Sequence, residues 1–207
     1  MTWKTLAEVR LGNDEVMLRR IERSDREALS KIAFDPEIWR YFVQRVANEE
    51  DLNRFIDLAI EDTAAGRRIV FAVIDRATGS LAGSMAYGNL SEAEKRLEIG
   101  WSWLGGAYRG RGVNRWAKFL LLRHAFEHLL CERAEFKTDV LNLQARKALK
   151  NIGATEEGVF RSYNYMPDGR RRNAVYYSIL RSEWPTVKAG LIDCSKLPAP
   201  ASELLAS

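Results

Sequence analysis

The densest chemistry in the chain lies in Tyr108-Arg109-Gly110-Arg111-Gly112-Val113-Asn114, between an aromatic stretch and a long apolar run. Two glycines one residue apart at a helix entry let consecutive backbone N–H groups converge, and the helix dipole adds positive potential there. Arg109, Arg111 and Arg115 add side-chain cations. Such a cradle takes an anion, and its natural guest is a phosphate or pyrophosphate. The same residues also fit a plain helix-entry loop with solvated arginines, so the neighbouring elements must decide. His124 and His128, four apart, have a spacing that can hold zinc. No Glu follows His124, neither Cys131 nor Cys194 is placed to complete a site, and no metal is expected. No Ser–His–Asp or Cys–His set stands out.

The elements that hold this turn follow from periodicity. Residues 1–14 read as a loosely held lead-in, and Val16 to Arg19 suits a first strand. Ser24 and Glu27 have capping-box spacing and open a helix to about Phe34, which Asp35-Pro36 ends. After a short aromatic turn from Glu37 to Phe42, Asn48 caps a long amphipathic helix with Leu52, Phe55, Ile56, Ala59, Ile60 and Thr63 on one stripe. Ile69 to Ile74 and Ser80 to Tyr87 form a hairpin. From Arg96 to Leu104, alternation predicts Leu97, Ile99, Trp101 and Trp103 on one face and Glu98, Gly100 and Ser102 on the other, with Gly100 inviting a bulge.

Beyond the glycine turn, Val113 to Leu130 is helical and apolar on nearly every side. Ala134 to Val140 is a strand, and Asn142 caps a helix that Gly153 stops. Ala154 to Tyr165 and Asn173 to Leu180 close the domain as a hairpin about Pro167-Asp168-Gly169. Past Trp184-Pro185 the chain reads as a partly ordered tail. This order predicts a mixed α+β domain with helices on both faces of its sheet.

The 207 residues suit one domain, and 46% hydrophobic with 29% charged residues fit a soluble globular chain. No apolar run is long enough for a membrane span, no signal-peptide core follows Met1, and the cysteines are too few for a disulfide framework. A cytoplasmic location is expected. The net charge of +4 is uneven: residues 1–104 carry 15 Lys and Arg against 18 Asp and Glu, residues 105–207 carry 17 against 10. The second half meets the anion, and charge alone leaves nucleic acid, a phosphorylated cofactor and acidic substrates open.

The run Leu97-Glu98-Ile99-Gly100-Trp101-Ser102-Trp103-Leu104, the Arg109-x-x-Gly112-x-Asn114 turn, and Asn142 followed by Ile152-Gly153-Ala154 together resemble the GNAT superfamily of N-acetyltransferases. Within it the resemblance is to the RimJ- and RimL-like branch, which acetylates protein N-termini. It spans roughly residues 15–184, leaving 1–14 as lead-in and 185–207 as tail. It implies a central, mostly antiparallel sheet of about seven strands with a splayed central pair, and acetyl-CoA as co-substrate. By position, the Trp103 and Leu104 backbone would meet the pantetheine arm. Arg109, Gly110, Arg111, Gly112, Val113 and Asn114 would surround the phosphates. Asn142 would bond the arm, with a plain N-cap an equally physical role, and Arg146 would help at the phosphate end. Asn114 stands where the family pattern has Gly or Ala.

The implied reaction is direct attack of a primary amine on the thioester in a ternary complex. Glu98 occupies the position of the family's amine-proton acceptor, with a raised pKa expected if its face is buried. A backbone N–H at Ser102 or Trp103 would polarise the carbonyl. The family's tyrosine proton donor has no equivalent, Leu149 taking its place, and Tyr163 and Tyr165 are the substitutes, against plain hairpin packing. A protein N-terminal amine is the implied acceptor; a polyamine, amino acid or aminoglycoside is the alternative. The rival reading is a non-catalytic acyl-CoA sensor, or a module docking on RNA in a ribosomal context through Arg109, Arg111, Arg115 and Arg170 to Arg172, otherwise a solvated turn. A homodimer is compatible with either.

Overall fold

Runs of β-branched and aromatic residues, broken at turn-forming segments, build one eight-stranded sheet. The computed structural model describes residues 3–192. In chain order the elements are β1 (Leu11–Gly12), β2 (Val16–Arg20), α1 (Arg26–Ala33), α2 (Pro36–Trp39), α3 (Glu49–Ala64), β3 (Ile69–Asp75), β4 (Ser80–Ser91) and β5 (Arg96–Leu104). Then come α4 (Val113–Arg123), β6 (Arg133–Asp139), α5 (Leu143–Asn151), β7 (Thr155–Tyr165), β8 (Arg171–Leu180) and α6 (Trp184–Ile192). The sheet order is β1-β2-β3-β4-β5-β6-β8-β7. All neighbours are antiparallel except β5 and β6, whose parallel pairing the α4 crossover permits. The last strand slots in beside β6, leaving β7 on the edge.

Each face of the sheet is buried by its own helices. Leu97, Ile99 and Leu104 of β5 pack with Ala117, Leu120 and Leu121 of α4, alongside Leu149 of α5 and Trp184 of α6. On the opposite face Trp103 packs with Leu29, Trp39, Leu52 and Phe55 from α1 to α3. No described helix is long and apolar enough to cross a membrane.

Several sequence expectations shift. The lead-in is packed: Leu6 is buried in the core, and Leu11–Gly12 covers the edge of β2. The first capping box forms two residues early, because Arg19 draws in the Asp25 carboxylate at 2.8 Å, where it also accepts the Glu22 N–H at 2.9 Å. The expected Asn48 cap forms, accepting from the Asp51 N–H. The long helix changes pitch into a π turn at His124–His128, closed by the Leu129 N–H on the His124 carbonyl. His124 is buried against Tyr87, and burial lowers its pKa to about 4. The start of the expected tail is α6, whose Trp184 and Leu191 join the α4 core. Cys194 and the rest of that tail lie outside the described residues.

The largest difference is inside β5. The register runs Gly100 to Ala86 and then Trp103 to Ser84, so Trp101 and Ser102 together oppose Met85. Trp101 adopts φ +49°, and its ring lies on β4 where a Cβ on Gly88 would come within 2.3 Å. The bulge reverses the alternation. Leu97 and Ile99 face α4, Trp101 and Trp103 face α1 to α3, and Ser102 faces α4 instead of sharing a face with Glu98.

Candidate active site

β5 and β6 pair through three positions, Arg96 with Arg133, Leu97 with Ala134 and Glu98 with Glu135. Past that point Ile99 to Leu104 stay with β4, and Phe136 to Asp139 stay with β8. The strands diverge, leaving a wedge-shaped gap with Glu98 at its vertex.

Glu98 is 3% exposed. Its Oε2 accepts the Asn89 amide at 2.6 Å and lies 3.5 Å from Lys137 Nζ. Asn89 sits at φ +47° where the β4–β5 register shifts. Lys137 lies 5.4 Å and 5.6 Å from the rings of Tyr163 and Tyr176, whose hydroxyls share a 3.0 Å hydrogen bond. Burial, helped by that bond, pushes the Tyr176 pKa up. Arg172 is buried nearby with Nε unpartnered; burial lowers its pKa, while Asp139, Glu98 and Tyr176 oppose the shift. Trp101, stacked 5.2 Å from the Arg68 guanidinium, borders the same face. Tyr163 is half exposed there.

The α4 side of the wedge holds a different group. Lys118, 6% exposed, reaches between the strands from the second turn of α4. Its Nζ donates to Ser102 Oγ at 3.3 Å on β5 and lies 5.5 Å from the Phe136 ring on β6. Ser102 Oγ in turn donates to the Gly100 carbonyl. Burial alone lowers the Lys118 pKa to about 8.

The glycine turn lies at the wide end. Gly110 and Gly112 take φ +76° and +84°, and Gly112 is the N-cap of α4 with no side chain closing the helix end. Space above Gly110 is open. Val113 is buried beneath, Asn114 is half-buried in the first turn, and Arg111 is exposed. Arg109 folds back to the Leu104 carbonyl at 3.2 Å. Arg115 turns away from the cradle, donating to the Gly190 and Leu191 carbonyls at the end of α6, where a cation complements the dipole.

Other expected contacts are engaged inside the fold. Asn142 caps α5, accepting from the Ala145 N–H at 3.0 Å, as the N-cap reading required. Arg146 is held by Tyr177, the Val140 carbonyl and Glu156, away from the phosphate role expected for it. Arg170 pairs with buried Asp139 at 2.6 Å, Arg171 bonds Ser162 and stacks on Tyr165, and Arg172 is buried. Arg170 therefore ties the hairpin to β6, while Arg171 stays exposed on the solvated side of the turn.

An uncapped helix mouth next to a strand edge that has left its neighbour suits a ligand with phosphates at one end and an amide-rich arm. Coenzyme A has that chemistry, and the residues present fit it. Sequence reading missed Asn89, Lys137, the burial of Arg172 near Glu98, and Lys118. The first three depend on strand order, but Lys118 carried a signal, a lone charge in Ala117-Lys118-Phe119-Leu120-Leu121-Leu122.

The family model described as "Acetyltransferase (GNAT) domain" matches residues 15–155. A curated relative from Bacillus subtilis (strain 168), named "Putative ribosomal N-acetyltransferase YdaF", is 28% identical over 182 residues, covering 83% of this chain and 94% of its own. Among solved structures, a "putative acetyltransferase" from T. thermophilus is 33% identical with a TM-score of 0.80, over 88% of this chain and 94% of the other. A GCN5-related N-acetyltransferase from Brucella melitensis is 25% identical with a TM-score of 0.83, over 89% of this chain and 84% of the other.

Proposed function

The chain belongs to the GNAT family of acetyltransferases, and from that premise we propose that it transfers an acetyl group from acetyl-CoA to a protein N-terminal amine by direct attack in a ternary complex. The carrying observation is the parting of β5 from β6 at the pair that contains buried Glu98. The open edge of Trp103 and Leu104 would hold the amide-rich arm, and Gly110 to Asn114 the phosphates. Asn142 has its carboxamide oxygen on the α5 cap and keeps its nitrogen for the arm. When bound, acetyl-CoA supplies an activated acyl carbon and a thiol leaving group.

The chain's residues supply the rest. Glu98, held by Asn89 and Lys137, accepts the amine proton, directly or through one water. Trp101 and Tyr163 border the acceptor's approach, and the Ser102 backbone lies in the bulge beside the gap. Support for a protein acceptor, encountered in the cytoplasm, is the name of the Bacillus subtilis relative.

The test is thiol release from acetyl-CoA across a panel of peptides with free and blocked N-termini, polyamines, amino acids and aminoglycosides. Release with free-N-terminus peptides and none with blocked ones is expected. Release with small amines alone would replace the acceptor. No release with any amine, despite CoA binding, would make the chain a sensor.

A further inference from the structure

Lys118 is a fully buried cation on the α4 side of the wedge, and nothing so far gives it a task. A lysine this buried normally has a carboxylate beside it. Here no described residue forms an ion pair with it, and its partners are a serine hydroxyl and a phenylalanine ring. One of its three N–H groups is used on Ser102 Oγ, and the other two have no hydrogen-bond partner among the described residues. Such an arrangement is costly in a ligand-free protein, and it points to an electron-rich partner that arrives later.

Position says which partner. Phe136 follows Glu135, the last β6 residue paired to β5, and Ser102 lies four residues beyond Glu98 on β5, so Lys118 Nζ bridges the two strands just past the point where they part. Glu98 is at that vertex on the opposite face. An acyl carbon attacked by an amine within reach of Glu98 has its leaving sulfur in the same narrow end of the gap. We infer that Lys118 is the group facing that sulfur, giving it a proton as transfer proceeds; this rests on the acetyl-CoA reading above.

The proton accounting closes. Glu98 takes one proton from the amine as the nitrogen–carbon bond forms. Lys118 gives one proton to sulfur as the carbon–sulfur bond breaks and its electron pair stays on sulfur. Water then removes the proton from Glu98 and resupplies Lys118, so the net change is one proton moved from amine to thiol. A lysine pKa near 8 is close to that of a thiol, which lets the proton move with little driving-force penalty.

The test compares CoA with desulfo-CoA, which has no thiol. In the wild-type protein, the bound CoA thiolate, followed by its ultraviolet absorbance, should appear about one pH unit or more below that of free CoA. CoA should then outbind desulfo-CoA by about threefold near pH 8, a preference that Lys118→Met abolishes while desulfo-CoA affinity is retained. Transfer by Lys118→Met should fall about a hundredfold. If that variant fails to fold, NMR of the wild-type Lys118 ammonium decides. Its titration should move to higher pH with CoA and stay in place with desulfo-CoA. Equal binding of both carriers with an unmoved lysine signal would overturn the assignment of Lys118 and leave the acetyl-CoA reading standing. Binding of neither carrier would remove both.

Discussion

The two faces of the wedge bury opposite charges under opposite conditions. On the α1–α3 face, Glu98 Oε2 meets a 2.6 Å amide donor and a lysine at 3.5 Å, so the charge is answered by the protein itself. On the α4 face, Lys118 has a hydroxyl oxygen and a ring, and no anion among the described residues. A charge already matched by its own fold adds to stability and is held in one orientation. An unmatched one spends stability on readiness for something else. The carboxylate and the ammonium thus lie on opposite faces of the sheet and form no ion pair with one another.

Substitutions should separate the two faces. The largest effect expected is on rate: Glu98→Gln should slow transfer by about 10²–10⁴-fold with CoA affinity unchanged, read from thiol release against calorimetric binding. A variant as fast as wild type at every pH would strip that face of its base.

Next is stability, where the faces should answer with opposite signs. Glu98→Leu leaves Asn89 and Lys137 without their acceptor and should destabilise by about 3 kcal/mol. Lys118→Met should stabilise the ligand-free protein at neutral pH by up to about 3 kcal/mol, offset by any imperfect packing. The pH signature follows from the lowered folded-state pKa, about 8 against an unfolded value of 10.5. Below pH 8 both states are protonated and the burial penalty is present in full. As pH rises from about 8 to 10.5 the unfolded chain holds the extra proton, so wild-type stability rises with pH. Urea titrations across that window should show the rise in wild type and lack it in Lys118→Met.

Gly88→Val should cost about 1–3 kcal/mol in denaturation, because its side chain meets the Trp101 ring. It should disturb the acceptor face, and so raise KM for the amine with CoA affinity kept. The smallest effect expected is from Gly112→Ala, about 1–2 kcal/mol for a φ of +84°, with binding of CoA and desulfo-CoA weakened by the same factor.

The glycine turn at the start of α4 was legible because glycine spacing and a helix start are local facts, and the strand that carries Glu98 because the surrounding run resembles a known one. The splay came only from that resemblance; no pattern in Arg96 to Leu104 marks where β6 leaves. The face assignment failed at Trp101, since alternation counts residues and a bulge adds one without announcing it. Strong turn residues set the closing hairpin, yet which of its strands lies beside β6 depends on the whole sheet. That choice puts Tyr176 and Arg172 near Glu98. Arg115 reads toward an anion on charge and Arg146 on its place in the resemblance, while the partners they hold in the fold are the end of α6 for Arg115 and Tyr177 with Glu156 for Arg146.

The parallel seam of three residue pairs also has a mechanical meaning. Among the described residues it is the only edge-to-edge joint between strands β1–β5 and strands β6–β8, so the sheet is bound like a book along a short spine. Amides along this spine should exchange with deuterium before those of the leaves on either side. Anything laid lengthwise into the opening would act as a second binding, and slow that exchange from a distance.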